Sequence, residues 1–252
     1  MSGHSHAANI KHKKAASDAR KGREFSRWAK AIMVAVRTGG KEPDSNLQLK
    51  YALEKARAAN MPKDTIERAI KKGAGELPGQ EIVESTFEAI GPGGVAFLVE
   101  CLTDNKNRTG PEIRKIFEQK GGKIGNAGSV AWMFEKKGVI SIPKGAISED
   151  ELMSLVLDAG AEDMQTVEGS YEVTTAPQSF DAVSKALEAK KIKPDVAEVM
   201  TLPKNRIEVT DPKNARRILD LVETLEDHDD VQNVAANHEI SDAVAEAARA
   251  AE

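Results

Sequence analysis

The sequence predicts an α+β protein: a small N-terminal three-helix domain followed by two α+β domains on the split βαβ (ferredoxin-like) plan, one inserted in the other. Three observations predict it. Apolar residues recur at spacings of three and four up to Lys72. Beyond Glu81 short strand-like runs alternate with helical ones. The charge changes sign at the same place: residues 1–75 hold 17 Lys and Arg against 7 Asp and Glu, a net of +10, and the rest holds 19 against 33, a net of −14. The boundaries that follow are 1–79 for a basic helical domain with its linker, 80–136 with 203–240 for a discontinuous α+β domain, 137–202 for the inserted βαββαβ domain, and 241–252 for a tail.

Composition narrows the class. With 40% hydrophobic and 30% charged residues, the 252-residue chain reads as a soluble globular protein. No run approaches the roughly 18 apolar residues of a membrane span, so a membrane is not an expected partner. Cys101, the single cysteine, excludes an intramolecular disulfide and a zinc site built on several thiolates. Met1-Ser2-Gly3-His4-Ser5-His6 has no apolar core of a secretory signal, and a cytoplasmic location is expected.

Ala15 to Thr38 reads as a helix closed by Gly39-Gly40. Phe25, Trp28, Ala29, Ile32 and Val36 share one face, while Arg20, Arg23, Arg27 and Lys30 fall on the opposite one. Lys21 adjoins this stripe, and Lys11, His12, Lys13 and Lys14 form a basic cluster at or before the helix start. No acid interrupts the stripe, so it reads as a phosphate-binding surface rather than a solvated face. A second helix runs from Ser45, its expected cap, to Ala59, and Asn60-Met61-Pro62 ends it. A third covers Asp64–Lys72 and stops at Gly73. A core of Phe25, Trp28, Ile32, Leu49, Leu53, Ile66 and Ile70 is small, so mobility of this domain against the rest is expected.

In the acidic part, Thr86–Ile90 and Val95–Leu102 read as strands joined by the turn Gly91-Pro92-Gly93-Gly94. Thr109 is the expected cap of the next helix, with Pro111 in its first turn. Short strands follow around Val130–Phe134 and Val139–Ile142. Ser148 and Glu151 have capping-box spacing, and Gly160 ends that helix. Strands at Met164–Val167 and Tyr171–Thr175, a helix at Ser179–Lys190 and a strand at Val196–Thr201 complete β-α-β-β-α-β from Val139. A strand at Arg206–Val209, a helix at Pro212–Glu226 and a strand at Val231–Ala235 precede an Ala- and Glu-rich tail, read as a frayed helix.

Enzyme motifs fail. Gly91-Pro92-Gly93-Gly94 is followed by a strand and lacks the Lys-Ser/Thr of a phosphate loop. Gly121 to Ser129 is glycine-rich but lies between a helix and a strand. Cys101, in an apolar strand, reads as a buried structural thiol. His4, His6 and His12 could take up copper or nickel adventitiously, but nothing downstream completes a site. No catalytic residues, metal or cofactor are expected. Asp104, Asn105, Asn107 and Arg108 form the densest polar loop of the acidic part, either a turn with a helix cap or a contact for a ligand or RNA.

Gly3-His4-Ser5, Asn9-Ile10, Lys13-Lys14-Ala15, Met61-Pro62-Lys63-Asp64-Thr65-Ile66, Glu88 to Gly94, Val99 to Asn105, Asn107-Arg108-Thr109, Gly128-Ser129-Val130, Lys137 to Ile140 and Ala159 to Asp163 together resemble the YebC/PmpR family. That family takes in Pseudomonas-type transcriptional regulators and mitochondrial translational activators of cytochrome oxidase. The likeness runs in order through nearly the whole chain, with one departure: many members carry Lys-Trp after Gly-His-Ser, where this chain has His6-Ala7. It implies three domains, no catalytic activity and one of two roles. One is a DNA-binding transcriptional regulator, the usual label. The other is a ribosome-associated, RNA-binding factor that relieves stalling in translation at proline-rich stretches. The exposed face of the first helix, nearly all Lys and Arg, favours phosphate contact over base reading. The expected partners are DNA or ribosomal RNA, the ribosome among them, and the expected state is a monomer.

Overall fold

The computed structural model describes residues 18–79, 81–145, 147–167 and 169–250, with side chains from Gly22 to Arg249. In chain order its elements are α1 (Asp18–Gly39), α2 (Leu47–Ala58), α3 (Lys63–Gly73), β1 (Val83–Ile90), β2 (Ala96–Thr103), α4 (Lys106–Gln119) and β3 (Lys123–Ile124). They continue with β4 (Phe134–Pro143), α5 (Glu149–Asp158), β5 (Ala161–Val167), β6 (Ser170–Thr175), α6 (Phe180–Ala189), β7 (Val196–Pro203) and β8 (Ile207–Glu208). Last come α7 (Pro212–Glu226), β9 (Val231–Ala236), β10 (His238–Glu239) and α8 (Asp242–Ala250). These elements form two compact units: residues 18–131 with 217–234, and residues 132–216 with 235–250.

In the first unit the three helices close on Ile32, Ala35, Val36, Leu49, Ala52, Leu53, Ala56, Met61, Ile66 and Ala69, with Phe25, Trp28 and Ile70 half-buried at the margin. The apolar periodicity of α1 is what places Ile32 and Val36 inside. The α1–α2 turn is held by Asn46, not by the expected cap Ser45. The buried Asn46 side chain donates to the carbonyls of Ala35 and Gly40, both at 2.8 Å, and accepts from the Leu49 amide at 3.1 Å. Its three bonds join the two helices, whereas the Ser45 hydroxyl reaches only the Glu42 carbonyl. At the end of α3, a Cβ on Gly73 would stand 2.6 Å from the Met33 carbonyl oxygen and 2.9 Å from the Val36 Cβ, so this helix needs a glycine to lie against α1.

The module expected to move on its own shares this unit with the first sheet. Val34, on a further face of α1, is buried with Ile82 and Leu102. The sheet order is β3-β1-β2-β9. β1 and β2 form the expected hairpin, in register from Val83 opposite Thr103 to Ile90 opposite Ala96, across a tight turn at Pro92–Gly94. Under it, Phe97 and Phe117 pack edge to face at 5.6 Å.

The second unit carries a sheet of order β5-β6-β4-β7, every neighbouring pair antiparallel. This is the split βαβ arrangement: α5 and α6 each connect strands that are not neighbours. Of the two expected short strands, the first is instead a 3-10 turn at Ala131–Met133, and the second lengthens into β4, which begins at Phe134 and runs through Glu135-Lys136-Lys137-Gly138. The ladder to β7 holds Glu135, Lys136 and Lys137 extended, and from Gly138 onward β6 pairs with the other edge as well. A Cβ on Gly138 would meet the Phe180 ring at 2.4 Å, so the glycine makes room for α6. Ser148 and Glu151 do meet, through a side-chain bond of 2.8 Å rather than through a bond to the backbone. The strand expected at Arg206–Val209 is the short β8, which pairs in parallel with β10. The tail forms α8, in which Ala248 is fully buried.

Candidate nucleic-acid interface

On α1, three side chains of the basic stripe, Arg23, Arg27 and Lys30, lie opposite the apolar face, as their spacing requires. Each has a partner in residues 227–232, although the Arg23 side chain stays 41% exposed. Arg23 pairs with Asp227 at 3.3 Å, Arg27 donates to the Gln232 carbonyl, and the Lys30 ammonium donates to the Asp229 carbonyl at 3.0 Å and to Asp230 at 2.5 Å. The reading of this stripe as a free phosphate-binding surface is corrected accordingly: its partners are supplied by the segment between α7 and β9 and by the start of β9. The reason is electrostatic. Glu226-Asp227-His228-Asp229-Asp230 puts four carboxylates in one connection, and a lysine or arginine brought against them is stabilised without any polyanion. Lys11, His12, Lys13 and Lys14, like His4 and His6, lie outside the described residues, as do the side chains of Arg20 and Lys21 on α1.

Asp230 is the centre of this contact. Its side chain is 1% exposed, and Lys30, across from it, is 15% exposed. One carboxylate oxygen takes Lys30, and the other accepts from Arg108 at 2.7 Å and from the Thr109 hydroxyl at 2.6 Å. Thr103, in turn, meets Thr109 at 2.7 Å. Burial alone raises the pKa of such a carboxyl. Hydrogen bonds from Lys30, Thr109 and Arg108 outweigh it and hold Asp230 well below the usual carboxylate range. Two candidate regions thus converge on one carboxylate: Lys30 from the helical module and Arg108 from the polar loop.

That convergence decides the loop. Asn105, not Thr109, caps α4, accepting from the Arg108 amide at 3.2 Å. Asp104 pairs with Arg108 at 3.2 Å. Thr109 is buried inside the first turn, where its hydroxyl serves Asp230, so it cannot cap. Asn107 is exposed. Arg108 also stands 3.8 Å from Glu112, whose carboxylate bonds His228 at 3.0 Å. Asp104, Asn105 and Arg108 are therefore arranged as a turn, a cap and an ion-pair network.

Two other polar centres are structural. The glycine-rich Gly125–Ala131 segment wraps the carboxylate of Glu88, which accepts from the amides of Gly128, Val130 and Ala131 at 2.6, 2.7 and 2.8 Å. Burial pushes the Glu88 pKa up, but these amides and the Ser129 side chain prevail, and it lies below its ordinary value. Cys101 is buried in β2, where burial and the neighbouring Asp230 push its thiol up to about 12, too high for a nucleophile at neutral pH. Sequence reasoning missed both Glu88 and Asp230. The available signal for Asp230 was the acidic run at 226–230, opposite in sign to the stripe. For Glu88 there was none, because its partners are backbone amides some 40 residues away.

Cations remain exposed elsewhere in the module. Arg57 at the end of α2, and Lys63, Arg68, Lys71 and Lys72 along α3, all stand on the outer surface. Among the described residues no cluster of three or more His, Cys, Asp or Glu is placed to hold a metal ion, and no helix is long and apolar enough to cross a membrane.

Known proteins resemble this chain along nearly its whole length. Residues 5–76 match the TACO1/YebC protein N-terminal domain, and residues 82–238 match the TACO1/YebC second and third domain. A probable transcriptional regulatory protein of Dictyoglomus turgidum is 52% identical over 245 residues, covering 97% of this chain and 98% of that one. A protein of the same description from Syntrophomonas wolfei is 49% identical over 247 residues, covering 97% and 98%. The crystal structure of a conserved hypothetical protein from Aquifex aeolicus superposes with a TM-score of 0.83 at 43% identity, covering 94% of this chain and 98% of that one. With both domain descriptions matched in order and half of all residues shared with full-length relatives, the chain belongs to the TACO1/YebC family.

Proposed function

We propose that this protein is a non-enzymatic regulator of gene expression that binds nucleic acid by its phosphate backbone, through the basic N-terminal domain. The observation that carries the reading is the charge split: a net of +10 in residues 1–75 against −14 in the remainder. A basic module on an acidic body presents one side to a polyanion and turns the other away. The names of the relatives, probable transcriptional regulatory proteins, support the regulatory role. Lys11, His12, Lys13, Lys14, Arg20 and Lys21 belong to the proposed contact. Arg23, Arg27 and Lys30 do not, being held by the 227–232 segment.

Backbone binding displaces counterions, so affinity must fall with salt. With about six phosphates contacted, log K against log salt has a slope near −5 on duplex DNA and near −4 on single strands. Anisotropy titrations over a range of salt concentrations measure it, and an affinity indifferent to salt refutes the reading. Crosslinking in cells with sequencing of both bound RNA and bound DNA separates the two family roles. Promoter enrichment marks a transcriptional regulator, and ribosomal RNA enrichment a translational one.

A further inference from the structure

The cations of the helical module fall into two classes. On α1 and the turn after it, Arg23, Lys30, Arg37 and Lys41 face Asp227, Asp230, Glu81 and Glu76 within 3.3 Å, and Arg27 is bonded to the Gln232 carbonyl. On α3 and the end of α2, Arg57, Lys63, Arg68, Lys71 and Lys72 are exposed, and no carboxylate among the described residues lies within ion-pair distance of them. Asp64 and Glu67 share that helix, each four residues before a cation, but neither closes an ion pair.

We infer that the outer face of α3, with Arg57 at its head, is the surface that contacts the phosphodiester backbone. This deepens the proposed function and rests on it. Three features of the fold favour the face. Arg57 and Lys63 line one groove, floored by Leu53, Met61, Ile66 and Ile70, so the cation at the end of α2 adjoins the first of α3. Arg68 and Lys72 have the i,i+4 spacing that places side chains as neighbours, and Lys63 and Lys71 lie on the adjoining ridge, two turns apart with Glu67 between them. At 11 residues, α3 is about 16 Å long, the axial span of four or five phosphates of one strand of a duplex. The acidic 227–230 segment meets the face of α1 opposite its apolar side, while α3 packs on the apolar side. α1, about 10 Å across, therefore stands between those carboxylates and this surface.

The test is salt-dependent binding by the full-length chain carrying R57Q, K63Q, R68Q and K72Q together. The probes are a short random-sequence DNA duplex and, in a second arm, a single-stranded RNA of equal length. All four side chains are exposed, and an unchanged melting temperature verifies that the variant folds. The expected result is at least a ten-fold loss of affinity at about 0.15 M salt. The slope should become shallower by about 3.5 on duplex DNA, near 0.9 for each phosphate no longer neutralised, and by less on single strands. A matched variant, R23Q with K30Q, is expected to keep the parent's slope and melt at a lower temperature. If the parent binds with a steep slope and the α3 variant binds alike, the inference is overturned while the proposed function stands. If the parent shows no salt-dependent binding to either probe, both fall. The arm that binds more tightly identifies the source of the backbone.

Discussion

Two helices of one module, α1 and α3, carry cations on their outer faces, and the fold treats them differently. Those on α1 meet the carboxylates and carbonyls of residues 227–232, and Lys30 is drawn to 15% exposure beside Asp230. Those on α3 are exposed and close no ion pair among the described residues. In sequence the order of merit is reversed: the α1 stripe has no interrupting acid, and α3 has two. The lesson is that a cation's availability is a property of the surface it is folded against. An acid-free stripe is attractive to any polyanion, and the chain's own acidic connection is permanently at hand.

Removing the matched carboxylate breaks the comparison most severely. Asp230→Asn leaves Lys30 and Arg108 without their common partner and is expected to cost about 3 kcal/mol in urea unfolding. That is the low end for a broken buried pair, because both cations can turn toward water. The same group sets an acid limit. Its folded pKa lies below the ordinary value near 3.8, so its contribution is complete above about pH 4 and drains away as the pH falls further. Stability measured from pH 7 downward should therefore lose this contribution only below about pH 4, and the Asn variant should lack that part of the decline.

A second matched carboxylate gives the next effect. Glu88→Ala strands three amide donors in a partly buried loop and should cost about 2 kcal/mol, read as a drop in melting temperature. Gly73→Ala tests the seating of α3 on α1. The added methyl, 2.6 Å from the Met33 carbonyl oxygen, should cost about 1–2 kcal/mol and weaken nucleic-acid binding through displacement of the helix. The smallest stability effects sharpen the comparison best. Arg23→Gln and Arg68→Gln should each change stability by less than about 0.5 kcal/mol, since both side chains are well exposed. Only Arg68→Gln should reduce the salt slope, by about 0.9 on duplex DNA.

The helices of the N-terminal module were legible because their apolar spacing and Gly or Pro stops act over a few residues. The β-α-β-β-α-β order was legible for the same reason. The start of β4 was not, because Glu135 to Lys137 are held extended by β7, more than 60 residues further along the chain. Caps were half legible. Asn46 displaced its neighbour Ser45 because it also bonds Ala35, and Asn105 displaced Thr109, one turn on, because the Thr109 hydroxyl is taken up by Asp230.

By itself the sequence determined the kinds of elements, their order, and the division of charge between a basic beginning and an acidic remainder. All of these are read from neighbours along the chain. Only the tertiary structure decided which cations are neutralised from within and which remain. Ion pairing acts over a few ångströms in space, and Lys30 and Asp230, 200 residues apart, become partners only when β9 closes beside β2.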